Sequence, residues 1–162
     1  MGLDMYLYRH QYVSGYAWQR EDEKNQAEVQ LFDSLVNLLG VVPAAHSPHL
    51  TADVCVGYWR KANAIHKWFC NLDGGKDECQ KIPVSVEQLR ELRNLCDLVL
   101  LQPAVASEIL PTQDGFFFGS YDYDEWYMDD MKNTITMIDE ILKDVPLDAN
   151  PWDYSFYYQA SW

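Results

Sequence analysis

The alternation of apolar and polar residues at the two ends of the chain constrains its fold most strongly. Apolar side chains occupy every second position near the start (Leu3, Met5, Leu7) and again near the end (Phe156, Tyr158, Ala160, Trp162). A period of two is typical of a strand with one buried face. Because both strands need a core to cover that face, we expect the chain ends to meet in one sheet.

Four segments between these strands are predicted to be helical from their apolar spacing and end signals: Glu21–Leu39, Lys61–Phe69, Ser85 to Pro103, and Tyr123–Lys143. Ser85 and Gln88 form a capping-box pattern. Strands are predicted at Ala52–Trp59 and, briefly, at 116–118. The sequence therefore predicts a single α+β domain over residues 1–162. About four helices pack on a small, largely antiparallel sheet that pairs the two terminal strands.

The charge balance excludes several classes of partner. Lys and Arg number 12 against 25 Asp and Glu, which gives a formal net charge of -13. Such a chain is repelled by phosphate backbones, so we expect no nonspecific binding to nucleic acid or to an anionic membrane. The start lacks the basic-then-apolar pattern of a secretory signal, and the four cysteines have no C-x-x-C spacing. We therefore expect a cytoplasmic protein with reduced thiols.

A basic and aromatic block stands out in this acidic chain. Residues 54–72 contain three basic side chains and no acidic one. Helix starts attract anions, rings can stack on flat ligands, and polar side chains one turn apart share a face. The block supplies six candidate ligand-binding residues: Tyr58, Trp59, Arg60, Lys61, Asn63 and His66. The alternative is a core helix whose cations pair with the acidic remainder of the protein.

The loop at 110–124 is the second candidate region. Glycines at 115 and 119 let a ligand approach the backbone, and hydroxyl and amide groups suit a polar planar ligand. Its candidate ligand-binding residues are Thr112, Gln113, Phe117 and Ser120. The spacing matches neither a P-loop nor a dinucleotide fingerprint. The alternative is a hairpin with a buried Phe strand.

An acidic cluster follows this loop, made of Asp122, Asp124, Glu125, Asp129 and Asp130. Carboxylates one turn apart on a helix could share a divalent ion, as metal-dependent phosphodiesterases require. They could also imitate nucleic acid, or simply form a solvated helix face. These three interpretations stay open at the level of sequence.

Other metal and catalytic patterns are weak. His66, Cys70, Cys79 and the His46–His49 pair could supply ligands, but their spacing matches no known zinc module. A G-x-S-x-G elbow and an H-E-x-x-H helix are absent from the sequence. We therefore predict no catalytic residues, no metal ligands and no cofactor.

Four segments are long and unusual in composition: MGLDMYL at 1–7, GYWRKANAIHKWF at 57–69, LPTQDGFFFGS at 110–120 and YYQASW at 157–162. They resemble a family of small phage and prophage proteins. The resemblance implies a phage accessory protein made in the cytoplasm of the bacterial host. It brings no catalytic residues with it, since that family has no settled biochemical function.

The favoured functional hypothesis is a binding protein that counters host defence by capturing a small anionic, nucleotide-like ligand without chemistry. One alternative is an acidic mimic of nucleic acid that inhibits a host defence protein, such as a nuclease or CRISPR effector. Another is an enzyme that acts on a phosphorylated metabolite, with His66 as general base. Homo-oligomerisation stays open, because shared pockets often form between subunits and the sequence does not count chains.

Overall fold

The computed structural model describes residues 2–115, 118–150 and 153–162. Four strands and five α-helices lie in this described part of the chain. In chain order they are β1 Asp4–Ser14, α1 Gln26–Leu39, β2 His49–Arg60, α2 Asn63–Leu72, β3 Ile82–Val84, α3 Val86–Leu101, α4 Ala106–Ile109, α5 Glu125–Leu142 and β4 Ser155–Ser161.

The four strands form one antiparallel sheet in the order β2-β1-β4-β3. The terminal strands β1 and β4 are therefore neighbours, which confirms the expectation that the chain ends meet in one sheet. The short strand β3 pairs with β4 through Ile82 opposite Tyr158 and Val84 opposite Phe156. The predicted α+β class is also confirmed. Because β3 has only three residues, its period was too short for the sequence to indicate it.

The core lies on one face of this sheet. Leu3, Met5 and Leu7 are fully buried, as the alternation predicted, and so is Tyr158 on β4. The ring of Tyr158 stacks on Phe69 of α2, with centroids 4.1 Å apart and planes 6° from parallel. Burial of each such side chain contributes about 2 kcal/mol to stability. Helices α3 and α5 pack against each other to complete the core of this part of the chain.

The helix boundaries differ from the prediction by a few residues. α1 begins at Gln26 and not at Glu21, because residues 17–21 and 23–25 form 3₁₀ turns. The capping box of Ser85 and Gln88 is confirmed at the start of α3. α5 begins at Glu125, since the Asp124 carboxylate accepts a hydrogen bond from the amide of Tyr127 and so acts as its N-cap.

The chain divides into two compact units. The first unit comprises Met1–Arg9 with Val54–Trp162, and the second is His10–Asp53. In the second unit Val29 and Phe32 of α1 are buried, and Arg20 and Asp33 form a bidentate ion pair with both contacts at 2.7 Å. No helix among the described residues has the length and apolar character needed to cross a bilayer.

Candidate ligand-binding pocket

A pocket of about 560 Å³ lies in the first unit. Three segments form its walls: the junction between β2 and α2, the end of the 110–124 loop, and the first half of α5. Its volume falls in the range of small-molecule sites. The lining residues are Arg60, Lys61, Ala62, Asn63, Ala64, Gly119, Ser120, Asp122, Asp124, Trp126, Tyr127, Asp129, Asp130, Met131 and Asn133.

The β2–α2 junction supplies the basic wall of the pocket, which consists of Arg60 and Lys61. Lys61 has a positive φ of 61°, and its amide donates to the carbonyl of Leu3 at 2.9 Å. This sharp turn ends the strand and lets the helix begin two residues later. The Arg60 side chain is 60% exposed and lies 3.8 Å from Asp4, a loose ion pair that leaves the guanidinium able to reorient. The basic wall is therefore open to an anion.

Asn63 attaches the 110–124 loop to the start of α2. Its side-chain amide donates to the carbonyls of Phe118 at 3.1 Å and Ser120 at 2.7 Å. Its carbonyl oxygen accepts a hydrogen bond from the amide of Gln113 at 3.3 Å. Because the residue is only 4% exposed, these bonds have little competition from water. Asn63 thus fixes the loop and does not present a free edge to a ligand.

Gly119 sits where this loop approaches the basic wall most closely. Its φ is +92°, and a Cβ on it would lie 3.2 Å from the Cβ of Lys61. Both the backbone conformation and the space favour glycine here.

Four aspartates form an acidic wall opposite in charge to the basic one: Asp122, Asp124, Asp129 and Asp130. Asp129 forms an ion pair with Lys132 at 2.7 Å. Burial, together with the neighbouring charges of Asp129 and Asp124, raises the pKa of Asp130 to about 7. Asp130 therefore titrates near neutral pH, so the charge of this wall depends on pH.

The aromatic residues of the basic block point elsewhere. Trp59 is 4% exposed, and its indole N–H donates to the hydroxyl of Thr134 at 2.9 Å, so its ring is not available to a ligand. The hydroxyl of Tyr58 donates to Asp4, a bond that raises the pKa of Tyr58. Two aromatic residues of α5 line the pocket; Trp126 is 78% exposed, whereas Tyr127 is 5% exposed. Sequence reasoning missed Trp126, although a tryptophan near the start of a predicted amphipathic helix could have indicated an exposed aromatic side chain.

His66 lies inside the protein core and not in the pocket. It is 1% exposed, with Nδ1 2.6 Å from the Tyr158 hydroxyl and Nε2 3.0 Å from a carboxylate oxygen of Asp77. Gln113 donates to the same carboxylate at 2.8 Å, and the indole N–H of Trp162 donates to it at 3.0 Å. His66 and Gln113 are therefore parts of one internal hydrogen-bond network.

The ten residues predicted from sequence thus separate into three groups. The pocket brings together Arg60, Lys61, Asn63 and Ser120. Tyr58, Trp59, His66, Thr112 and Gln113 lie outside its lining. The backbone carbonyl of Thr112 accepts a hydrogen bond from Lys67 at 3.2 Å, which holds the loop from a second side. Phe117 lies outside the described residues, and so does most of the short Phe strand predicted at 116–118.

No protein-family model matches this chain, and neither the curated proteins nor the solved structures include one significantly similar to it.

Proposed function

We propose that this protein is a phage accessory protein that captures a small anionic, nucleotide-like ligand without chemistry and thereby counters host defence. The capture step is supported by the mixed charge of the pocket. Arg60 and Lys61 lie on one wall and four aspartates on another, with the exposed ring of Trp126 among them. A nucleotide carries the complementary groups, namely an anionic phosphate, hydrogen-bond donors on sugar and base, and a flat ring.

The phosphate belongs at the basic wall. The Arg60 guanidinium is exposed and only loosely paired, so it can turn to form a charge-assisted bidentate contact. The start of α2 adds to the attraction. This ten-residue helix has no side-chain N-cap, and Ala62, Asn63 and Ala64 at its start line the pocket. Amide groups at a helix start favour anions.

The sugar and base belong at the acidic wall. Carboxylates are hydrogen-bond acceptors, so they suit ribose hydroxyls and the amino groups of a base. The ring of Trp126 offers a face for stacking, which contributes about 1–3 kcal/mol per base. The carboxylates repel any phosphate, but a nucleotide offsets this repulsion with the contacts of its sugar and base. The pocket should therefore favour a nucleotide over inorganic phosphate.

Calorimetry with a panel of ligands tests the capture step. We expect mono-, di- or cyclic nucleotides to bind, and the matching nucleosides and inorganic phosphate to bind at least tenfold more weakly. Mass spectrometry should recover the bound nucleotide intact after incubation. No heat from any nucleotide at millimolar concentration would refute the capture step, and a converted nucleotide would show that the protein is an enzyme.

Two pairs of variants locate the binding to this pocket. Arg60→Gln should weaken nucleotide binding about tenfold, since it removes a charge-assisted contact, whereas Arg20→Gln removes an equal charge in the second unit and should leave affinity unchanged. Trp126→Ala should also weaken binding, and Trp18→Ala, at another exposed tryptophan, should not. Equal effects within each pair would place the binding elsewhere on the molecule.

The phage and host-defence parts of the proposal are supported by the sequence resemblance. They are tested in bacteria that carry a nucleotide-signalled defence system. Expression of the wild-type protein should raise the plating efficiency of a phage that this system restricts. The Arg60→Gln, Trp126→Ala double variant should not raise it. If the double variant protects the phage as well as the wild type does, the pocket has no part in that activity.

A further inference from the structure

A cluster of three potential metal ligands lies in the first unit and shares no residue with the pocket lining. His66 and Cys70 belong to α2, and Asp77 follows the turn after that helix. Within the described residues, these three form the one group of three or more His, Cys, Asp or Glu side chains whose donor atoms all lie within 4.8 Å of one another.

We propose that His66, Cys70 and Asp77 bind a divalent transition-metal ion of the borderline-soft class, with Zn²⁺ as the natural occupant. An imidazole, a thiolate and a carboxylate together are a donor set that suits zinc and excludes the hard cations Ca²⁺ and Mg²⁺, which prefer oxygen ligands alone. The inference is independent of the proposed capture function.

The donor separations are close to those around a tetrahedral ion. In such a site, Zn–N and Zn–O bonds of about 2.0 Å and a Zn–S bond of about 2.3 Å place neighbouring donors roughly 3.3–3.6 Å apart. The Cys70 sulfur lies 3.6 Å from Nε2 of His66 and 3.8 Å from Nδ1, so it stands beside the ring and has to turn about its Cα–Cβ bond to face the Nε2 lone pair. The Asp77 oxygen lies 3.0 Å from the same nitrogen, so it has to withdraw by only a few tenths of an ångström. All three donor atoms lie within 4.8 Å of one another, so the proposed site needs these side-chain movements of Cys70 and Asp77 to bring them onto one ion.

The surrounding hydrogen bonds hold the ligands in this arrangement. His66 and Cys70 are four residues apart on one helix, which places them on the same face. Nδ1 of His66 lies 2.6 Å from the hydroxyl of Tyr158, which leaves Nε2 directed at Asp77. Gln113 and Trp162 fix the Asp77 carboxylate. Metal-bound histidines and carboxylates are typically held by such outer partners.

Proton release follows from this chemistry. Zinc binds the thiolate form of cysteine, so the Cys70 thiol has to lose its proton when the ion binds. A bound divalent ion supplies the positive charge that stabilises the buried thiolate, and the thiol proton leaves to solvent. Affinity should therefore fall as the pH is lowered. Because His66 and Cys70 are 1% and 3% exposed, we expect the ion to enter during folding.

Cobalt substitution tests the site. The full chain is refolded with one equivalent of Co²⁺, an ion whose spectrum reports its ligands. We expect a thiolate charge-transfer band in the near ultraviolet, together with the visible bands of a tetrahedral ion. X-ray absorption of the zinc-loaded protein should show one sulfur at about 2.3 Å and nitrogen or oxygen donors at about 2.0 Å.

A matched pair of cysteine variants decides where the ion binds. Cys70→Ser should lose the charge-transfer band, and Cys96→Ser should keep it, because Cys96 is an equally buried thiol on α3. Asp77→Asn should weaken Zn²⁺ binding at least tenfold in a competition assay with a chelating dye. The proposal is overturned if the refolded wild type binds no Co²⁺ at micromolar concentration. It is equally overturned if the X-ray spectrum lacks a sulfur ligand, or if Cys70→Ser keeps the band.

Discussion

Asn63→Asp should remove about 3 kcal/mol of the free energy of unfolding at pH 7.5, although it replaces a single amide nitrogen by oxygen. Asn63 is 4% exposed and donates two hydrogen bonds, to the carbonyls of Phe118 and Ser120. An aspartate turns those two attractive contacts into repulsion between oxygens and places a charge in the core. The measurement is urea unfolding followed by tryptophan fluorescence.

The pH dependence of that loss identifies its cause. Burial and the facing carbonyls must raise the pKa of an aspartate at position 63 above its unfolded value. The stability of the variant then falls as pH rises through the folded pKa, so the deficit should be smaller at pH 5 than at pH 7.5. A deficit that does not change with pH would mean that the buried charge is not responsible.

Asn133→Asp is the control for the added charge. Asn133 also lines the pocket, but it is exposed on α5, so the same substitution should change stability by less than about 0.5 kcal/mol. Asn63→Asp should also expose the 110–124 loop to proteolysis, while Asn133→Asp should not. Equal urea midpoints for the two variants would show that Asn63 does not hold the loop.

Local patterns in the sequence were sufficient for much of the fold. The period of two at the chain ends depends on burial of one sheet face, and the structure confirms it at Leu3, Met5 and Leu7. The capping box at Ser85 was visible because both partners lie within one turn. The start of α1 was misplaced because a 3₁₀ turn carries nearly the same residue preferences as an α-helix.

The candidate site was predicted less completely, because its chemistry depends on distant partners. His66 had the sequence features of a ligand-binding residue, yet in the structure it pairs with the hydroxyl of Tyr158, which lies 92 positions away. Trp59 was expected to stack on a ligand, but its buried indole N–H donates a hydrogen bond to the hydroxyl of Thr134, which lies 75 positions away. Spacing along a chain cannot reveal such pairs. Arg60 and Lys61 do line the pocket, and the strand-to-helix junction that carries them is a local feature that the sequence indicates.

Asp130→Asn should abolish most of the pH dependence of the free energy of unfolding between pH 5 and pH 8. Burial, Asp129 and Asp124 raise the pKa of Asp130 to about 7, from 3.8. Between those two values the folded protein holds a proton that the unfolded chain has released, so stability falls as pH rises and levels off above pH 7. After allowance for its partial exposure, the loss is about 2 kcal/mol, and the asparagine variant should recover it at pH 8.

Ligand binding should follow the same titration. Above pH 7 the Asp130 carboxylate adds a negative charge to the acidic wall, so a cyclic nucleotide, whose single charge does not titrate in this range, should bind several-fold more tightly at pH 6 than at pH 8. Asp130→Asn should bind with the higher affinity at both pH values. Asp122→Asn, at an exposed pocket residue, should keep the wild-type difference between them. If wild-type affinity and stability are both constant from pH 6 to pH 8, Asp130 ionises as an ordinary carboxylate and the acidic wall is not a pH-dependent part of the site.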